Sequence, residues 1–187
     1  RNVAIGYEAL SAEDTGARNT AVGEAALRSL NYDGNGYNVA VGYDSGTSLT
    51  TGVQNTIIGA SAGDTLTTGS NNIIIGYNAL SSADTDARNV AIGVRALQDQ
   101  NAGNNTYNVA IGYEAGKEVT TGIQNTILGA SSGDALTSGS DNVAIGYLAL
   151  STEDAHGRNV AIGKGSLQSQ NAGADAYNIA IGYNTGL

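Results

Sequence analysis

The sequence predicts an all-β fold, a parallel β-solenoid of about eleven coils, and three observations carry that prediction. One pentad (Asn, a variable residue, Ala or Ile, an aliphatic residue, then Gly) occurs eleven times in 187 residues. The intervals between successive pentads run 17, 19, 17, 17, then 17, 19, 17, 17 again, then 17 and 19. Four pentads therefore make a 70-residue super-repeat, and residues 1–70 and 71–140 align without a gap and match at 41 of 70 positions. A period this short means stacked units that cannot bury a core alone and must share one with their neighbours.

Each part of a coil has its own reason. The middle of the pentad reads as a strand, because Val3 and Ile5 fall on one side and Ala4 on the other. The fourth pentad position is always Ile, Val or Leu, and the third is Ala in eight coils and Ile in three, Ile57, Ile74 and Ile127. Both faces are apolar, as in strands covered on both sides, and a thin solenoid covers only one. The expectation is that the Ala/Ile face meets another chain; the rival is a flattened monomer whose opposite wall covers it.

The repeated Asn (2, 19, 38, 55, 72, 89, 108, 125, 142, 159 and 178, that is Asn2, Asn19, Asn38, Asn55, Asn72, Asn89, Asn108, Asn125, Asn142, Asn159 and Asn178) has two structural readings that the sequence leaves open. Stacked amides form a ladder, or each Asn bonds its own backbone in an Asx turn. The closing glycines, Gly6, Gly23, Gly42, Gly59, Gly76, Gly93, Gly112, Gly129, Gly146, Gly163 and Gly182, mark where the chain turns.

After the glycine the coils divide. Leu follows four residues later at Leu10, Leu27, Leu80, Leu97, Leu150 and Leu167. Elsewhere that place is Gly46, Gly63, Gly116, Gly133 or Gly186, and an apolar residue comes three positions on, as Leu49, Leu66, Val119 and Leu136. The whole chain, 1–187, reads as one continuous solenoid, with super-repeats 2–71 and 72–141 and a partial third, 142–187, and as a fragment of a longer fibre.

Composition narrows function. Pro, Phe, Trp, Met and Cys are absent, so the core is thin and aliphatic, and neither a disulfide framework nor a thiolate metal site is present. The net charge of −9, from 17 acidic and 8 basic residues, argues against nucleic acid or an anionic membrane as partner. No apolar run approaches the roughly 20 residues of a membrane span.

Candidates for chemistry are few. His156, the only His, has Asp86 and Gly16 as its equivalents, and the plentiful Ser and Asp read only as turn residues, so an enzyme is not expected. Asp14, Asp84 and Asp154 recur every 70 residues, as do Asp64 and Asp134, but no loop carries a calcium-binding pattern, and neither metal nor cofactor is expected. Tyr7, Tyr43, Tyr77, Tyr113, Tyr147 and Tyr183 follow the pentad glycine in alternate coils and form a row suited to packing on a neighbouring chain or on sugar rings. Tyr37, Tyr107 and Tyr177 precede an Asn, and Arg18, Arg88 and Arg158 precede another, where pairing with nearby acids is expected. Thr50-Thr51, Thr67-Thr68 and Thr120-Thr121 occupy only two coils in four, a poor match to a continuous ice lattice.

The pentads Asn2-Val3-Ala4-Ile5-Gly6, Asn38-Val39-Ala40-Val41-Gly42 and Asn142-Val143-Ala144-Ile145-Gly146 resemble the head repeats of trimeric autotransporter adhesins. The stretch Arg18-Asn19-Thr20-Ala21-Val22-Gly23-Glu24-Ala25-Ala26-Leu27 is similar to repeats in bacteriophage tail fibres. The resemblance spans the chain and implies a left-handed parallel β-roll, three chains side by side, and attachment at a cell surface or virion. The 17/19 alternation departs from the shorter adhesin repeat.

The expectation is a structural segment of an extracellular attachment fibre, chiefly a rigid spacer, partnered by copies of itself as a homotrimer or higher fibre and by a cell-surface glycan or protein receptor. A self-assembling structural filament and an ice- or glycan-binding solenoid are the alternatives. Residues that differ between super-repeats, such as Tyr32 against Ala102 and Ala172, read as scattered through turns rather than gathered in a receptor pocket.

Overall fold

The computed structural model describes residues 1–153, 155–171 and 174–186. Among them are eleven strands of three residues each and no helix. They are β1 (Val3–Ile5), β2 (Thr20–Val22), β3 (Val39–Val41), β4 (Thr56–Ile58), β5 (Ile73–Ile75), β6 (Val90–Ile92), β7 (Val109–Ile111), β8 (Thr126–Leu128), β9 (Val143–Ile145), β10 (Val160–Ile162) and β11 (Ile179–Ile181). All eleven form one parallel sheet in sequence order, so each coil stacks on the one before it. The register never slips: Ala4 lies opposite Ala21, Ala40 opposite Ile57, and Ile74 opposite Ala91.

The sequence expectation for the two strand faces is reversed. The middle residue of nearly every strand is inside, with Ala21, Ala40, Ile57, Ala91, Ala110 and Ile127 fully buried in the core. The outer positions carry the larger aliphatics and face solvent; Ile73 is 42% and Leu128 43% exposed. The Ala/Ile column is therefore the coil's own interior and cannot be the contact between chains. The cause is volume, since the opposite wall of the same coil brings Leu10, Leu27, Leu49 or Leu66 against that column. The middle residue is Ile only in, or next to, a coil with Gly four residues after the pentad. A Cβ on Gly46 would lie 2.8 Å from Ile57 Cδ1 and 3.1 Å from Leu27 Cδ2, so the isoleucine occupies the space the glycine vacates.

That position adopts φ near +50° in every coil: Leu27 at 50°, Leu97 at 49°, Gly46 at 59° and Gly116 at 59°. A Leu there pays about 1 kcal/mol for a left-handed backbone and recovers about 2 kcal/mol by full burial. The pentad glycine is obligatory for a different reason. Gly59 has φ +133°, and a Cβ there would stand 2.6 Å from the Gly76 carbonyl oxygen in the next coil.

The position seven residues after the pentad glycine is also internal. It holds Leu30, Leu49, Leu66, Val119 and Leu136, but in other coils the buried residues Ala83, Gln100 and Glu153. Gln100 is satisfied there by accepting from Asn108 Nδ2 at 2.6 Å and donating to the Thr120 carbonyl at 2.9 Å.

Candidate functional site

The asparagines resolve into a ladder. At all ten steps the backbone N–H of one Asn donates to the Oδ1 of the Asn below, at 2.8–3.2 Å. In all seven 17-residue coils the amide also closes the coil: Asn55 Nδ2 donates to Asn38 Oδ1 at 3.2 Å and to the Gly69 carbonyl, fourteen residues on, at 2.9 Å. Asn2, Asn38, Asn72, Asn108, Asn125 and Asn142 reach the equivalent carbonyl. From Asn19 to Asn159 these side chains are buried internal struts, unavailable to a ligand, while Asn2 at the end of the stack is exposed.

The 19-residue coils lose that closure. Asn19 and Asn159 turn back to the carbonyl two residues before them, at 3.4 and 3.3 Å, and Asn89 Nδ2 has no partner at all. Carboxylates secure these corners instead. Glu13 accepts from Gly16 N at 2.6 Å and Tyr32 N at 3.4 Å. In the second super-repeat Ala83 replaces that Glu, and Asp86, three residues later, accepts from Ala102 N at 3.0 Å and Gly103 N at 3.2 Å. In the third, Glu153 is again buried and accepts from His156 N at 3.3 Å, with His156 Nδ1 3.1 Å away. His156 is thus one member of a turn-stabilising pair. Asp154 and Ala172 lie outside the described residues, and no group of three or more His, Asp or Glu among the described residues is arranged to hold a metal ion.

Burial pushes the carboxyl groups of Asp64, Asp86 and Asp134 above the ordinary range. One oxygen of each, Asp64 Oδ1, Asp86 Oδ2 and Asp134 Oδ1, is buried without a hydrogen-bond partner. Glu114 is held low by its hydrogen bond from Arg95, at 2.9 Å.

The outward strand face is the largest uncommitted surface. Two unbroken columns run along it, one from Val3 through Thr20, Val39 and Thr56 to Ile179, the other from Ile5 through Val22, Val41 and Ile58 to Ile181. Tyr7, Tyr43, Tyr77, Tyr113, Tyr147 and Tyr183 flank the second column, all more than half exposed. Between them Lys164 Nζ stands 5.9 Å from the Tyr147 ring and 5.6 Å from the Tyr183 ring.

Beyond the other column lie the residues before each Asn. There Arg18 stacks over Tyr37 at 5.2 Å, Arg88 over Tyr107 at 5.6 Å and Arg158 over Tyr177 at 5.5 Å. The arginines thus meet Tyr in the next coil, and among the described residues an acid partner, Asp175, is found only for Arg158. The first threonine of these pairs is tied to the next coil, Thr50 Oγ1 donating to the Thr67 carbonyl at 3.1 Å and Thr120 Oγ1 to the Thr137 carbonyl at 3.0 Å, while Thr51, Thr68 and Thr121 are exposed.

One concave site lies apart from these rows. The six residues of coils one to three that line it are Asp14, Asn31, Tyr32, Asp33, Gly34 and Thr51, around an open cavity of about 620 Å³. Tyr32, which the sequence reading set among scattered turn residues, is therefore part of a gathered group. The repeat is lost here at three consecutive positions, Tyr32-Asp33-Gly34 against Ala102-Gly103-Asn104, though the same happens at 28–30 and 47–49, so sequence alone does not single the site out.

No family model matches the chain, and neither the curated proteins nor the solved structures give a match.

Proposed function

We propose that this segment is a structural piece of an extracellular or virion attachment fibre whose copies pack together through the outward strand face. The observation that carries the reading is that face: one continuous aliphatic column, a second of Val and Ile interrupted by Thr20, Thr56 and Thr126, and a tyrosine row, all on eleven in-register strands. At about 4.8 Å per strand it is about 48 Å long and about 15 Å wide, roughly 700 Å² of mostly apolar surface. Monomers rarely leave so large an apolar patch uncovered, and a standard interface takes about 800 Å² from each partner.

A second copy is the occupant that fits, because it offers an equally flat face with the same coil spacing. A homotrimer is the stoichiometry that the resemblance to adhesin heads implies. The acidic surface keeps such fibres soluble and apart from one another, and the reading gives the segment no catalytic step.

Light scattering at micromolar concentration tests it. The native chain should scatter as an oligomer, and Ile73→Glu with Leu128→Glu should give a monomer with an unchanged β-type circular-dichroism spectrum. A native chain that stays monomeric overturns the reading. Ala91→Glu and Ala110→Glu serve as the contrast, since they insert a charge into the coil interior and should unfold the coils rather than separate the chains.

A further inference from the structure

We propose that the cavity around Tyr32 is a binding site for a neutral pyranose of a glycan, one per chain, and that it exists in the first super-repeat alone. Three features of the cavity specify the ligand. The first is a fixed aromatic platform. Tyr32 is 37% exposed, and its ring lies against the backbone of Gly34, where an added Cβ would come within 2.7 Å of Cε1. The platform's own backbone is held at both ends, Tyr32 N by Glu13 Oε2 and the Tyr32 carbonyl by Gly34 N at 2.7 Å. A half-open tyrosine ring resting on Gly34 is suited to stack on the C–H face of a sugar.

The second feature is a set of polar groups beside that platform. Asp14, Asn31, Asp33 and Thr51 line the same cavity, and Asp33 is oriented by accepting from Thr15 Oγ1 at 2.7 Å. Carboxylates and an amide accept hydrogen bonds from vicinal hydroxyls, the groups a pyranose presents around its edge. The third is charge. The ion pairs among the described residues involve neither Asp14 nor Asp33, so the site is negative with no cation to receive a carboxylate sugar. That selects neutral sugars over sialic or uronic acids.

The volume, about 620 Å³, suits one or two sugar units, and a site built from non-repeating, convergent groups is what a ligand pocket requires. The second super-repeat supplies the internal control. Asp84, Asn101 and Thr121 stand where Asp14, Asn31 and Thr51 do, but Ala102, Gly103 and Asn104 replace the platform. The corner differs as well: Asp86 rather than a Glu at position 83 caps it, and Gly103 adopts φ +73°, which an Asp there would resist. The change from Glu13 to Asp86 as the capping acid therefore accompanies the change from platform to plain turn.

The ligand class rests on the attachment reading, while the site itself needs no association between copies. The test is amide NMR of the whole chain titrated with galactose, glucose, mannose and N-acetylglucosamine, with sialic acid and methylamine as further probes. A neutral sugar should shift the amides of Asp14, Asn31, Tyr32, Asp33, Gly34 and Thr51, and Tyr32→Ala should weaken that binding at least tenfold with the spectrum otherwise preserved.

Transferring the corner, as Ala83→Glu, Asp86→Gly, Ala102→Tyr, Gly103→Asp and Asn104→Gly, should raise the stoichiometry from one to two per chain. Shifts with methylamine alone, shifts spread along the Tyr7 to Tyr183 row, or none with any neutral sugar each overturn the proposal. Light scattering on the same samples separates the two ideas. Loss of sugar binding in a chain that still associates counts against the pocket only, and a monomer that still binds sugar counts against the fibre only.

Discussion

The coil begun by Asn72 and the coil begun by Asn89 are neighbours with nearly the same strand, yet they are held shut differently. Asn72 donates to Asn55 Oδ1 at 3.2 Å and to the Asp86 carbonyl at 3.0 Å, so one side chain both joins the ladder and closes its coil. Asn89 keeps the ladder bond to Asn108 N at 3.0 Å, but its own Nδ2 is buried without a partner. The only length difference is two residues, 17 against 19. Those two residues move the closing carbonyl out of reach, and the side chain of Asp86 takes over the corner. The lesson is a division of labour. Coils closed by the ladder are uniform along the chain, whereas coils closed by a carboxylate have a corner free to vary, and the Tyr32 cavity is in such a corner.

The largest expected effect breaks this comparison directly. Asn72→Ala strands the N–H of Asn89 and the carbonyl of Asp86 in the interior, a cost of about 4 kcal/mol. Asn89→Ala strands the N–H of Asn108 and the hydroxyl of Thr106 but also removes an unpartnered amide donor, for about 2 kcal/mol. Urea denaturation of both variants checks the ranking, and equal losses would remove the distinction between the two closures.

A second prediction sharpens the carboxylate side. Asp86→Ala leaves the N–H groups of Ala102 and Gly103 without their acceptor, a loss of about 2 kcal/mol. Placing the acid where the first super-repeat keeps it, as Ala83→Glu with Asp86→Gly, should restore more than half of that stability. Thermal unfolding of the single and double variants measures the recovery. A double variant no better than Asp86→Ala would mean that the corner depends on Asp86 itself and not on a carboxylate in either place.

Much of this was legible in the residues. The pentads marked all eleven strands, and the asparagine spacing allowed the ladder that the amides form. The inner side of the strand was not legible from alternation, because Val3 and Ile5 on one side and Ala4 on the other are all apolar. Two further signals decide it. Asn and the middle residue have the same parity, so a buried Asn ladder brings Ala inside, and Ile57, Ile74 and Ile127 occur beside the coils that have Gly63, Gly116 or Gly133. The interchange of Glu13 with Asp86 was hidden for another reason. It joins residues in adjacent coils, and aligning equivalent positions makes the two acids look unrelated.

The smallest expected effect concerns protons, and it separates the buried acids from the exposed ones. Asp64, Asp86 and Asp134 are raised above the ordinary carboxylate range by burial, and each has one oxygen with neither solvent nor partner. A group whose folded value lies above its unfolded value stabilises the fold fully below the unfolded value, near about 4, and that contribution is lost as pH rises through the folded value. Acidifying from neutral pH toward about 5 should therefore raise Tm by a few degrees through these three groups, with relief of the −9 net charge acting in the same direction. Glu114 has the opposite sign, but its pair with Arg95 is only partly buried, so solvent screens it and it contributes little. Asp64→Asn, Asp86→Asn and Asp134→Asn combined should flatten the pH dependence while leaving the neutral-pH fold intact, since an amide keeps an acceptor oxygen for Ala102 N and Gly103 N. Scanning calorimetry between about pH 7 and about pH 5 reads the difference. The same slope in the native and triple-Asn chains would assign the whole effect to net charge and leave the buried acids without a part in it.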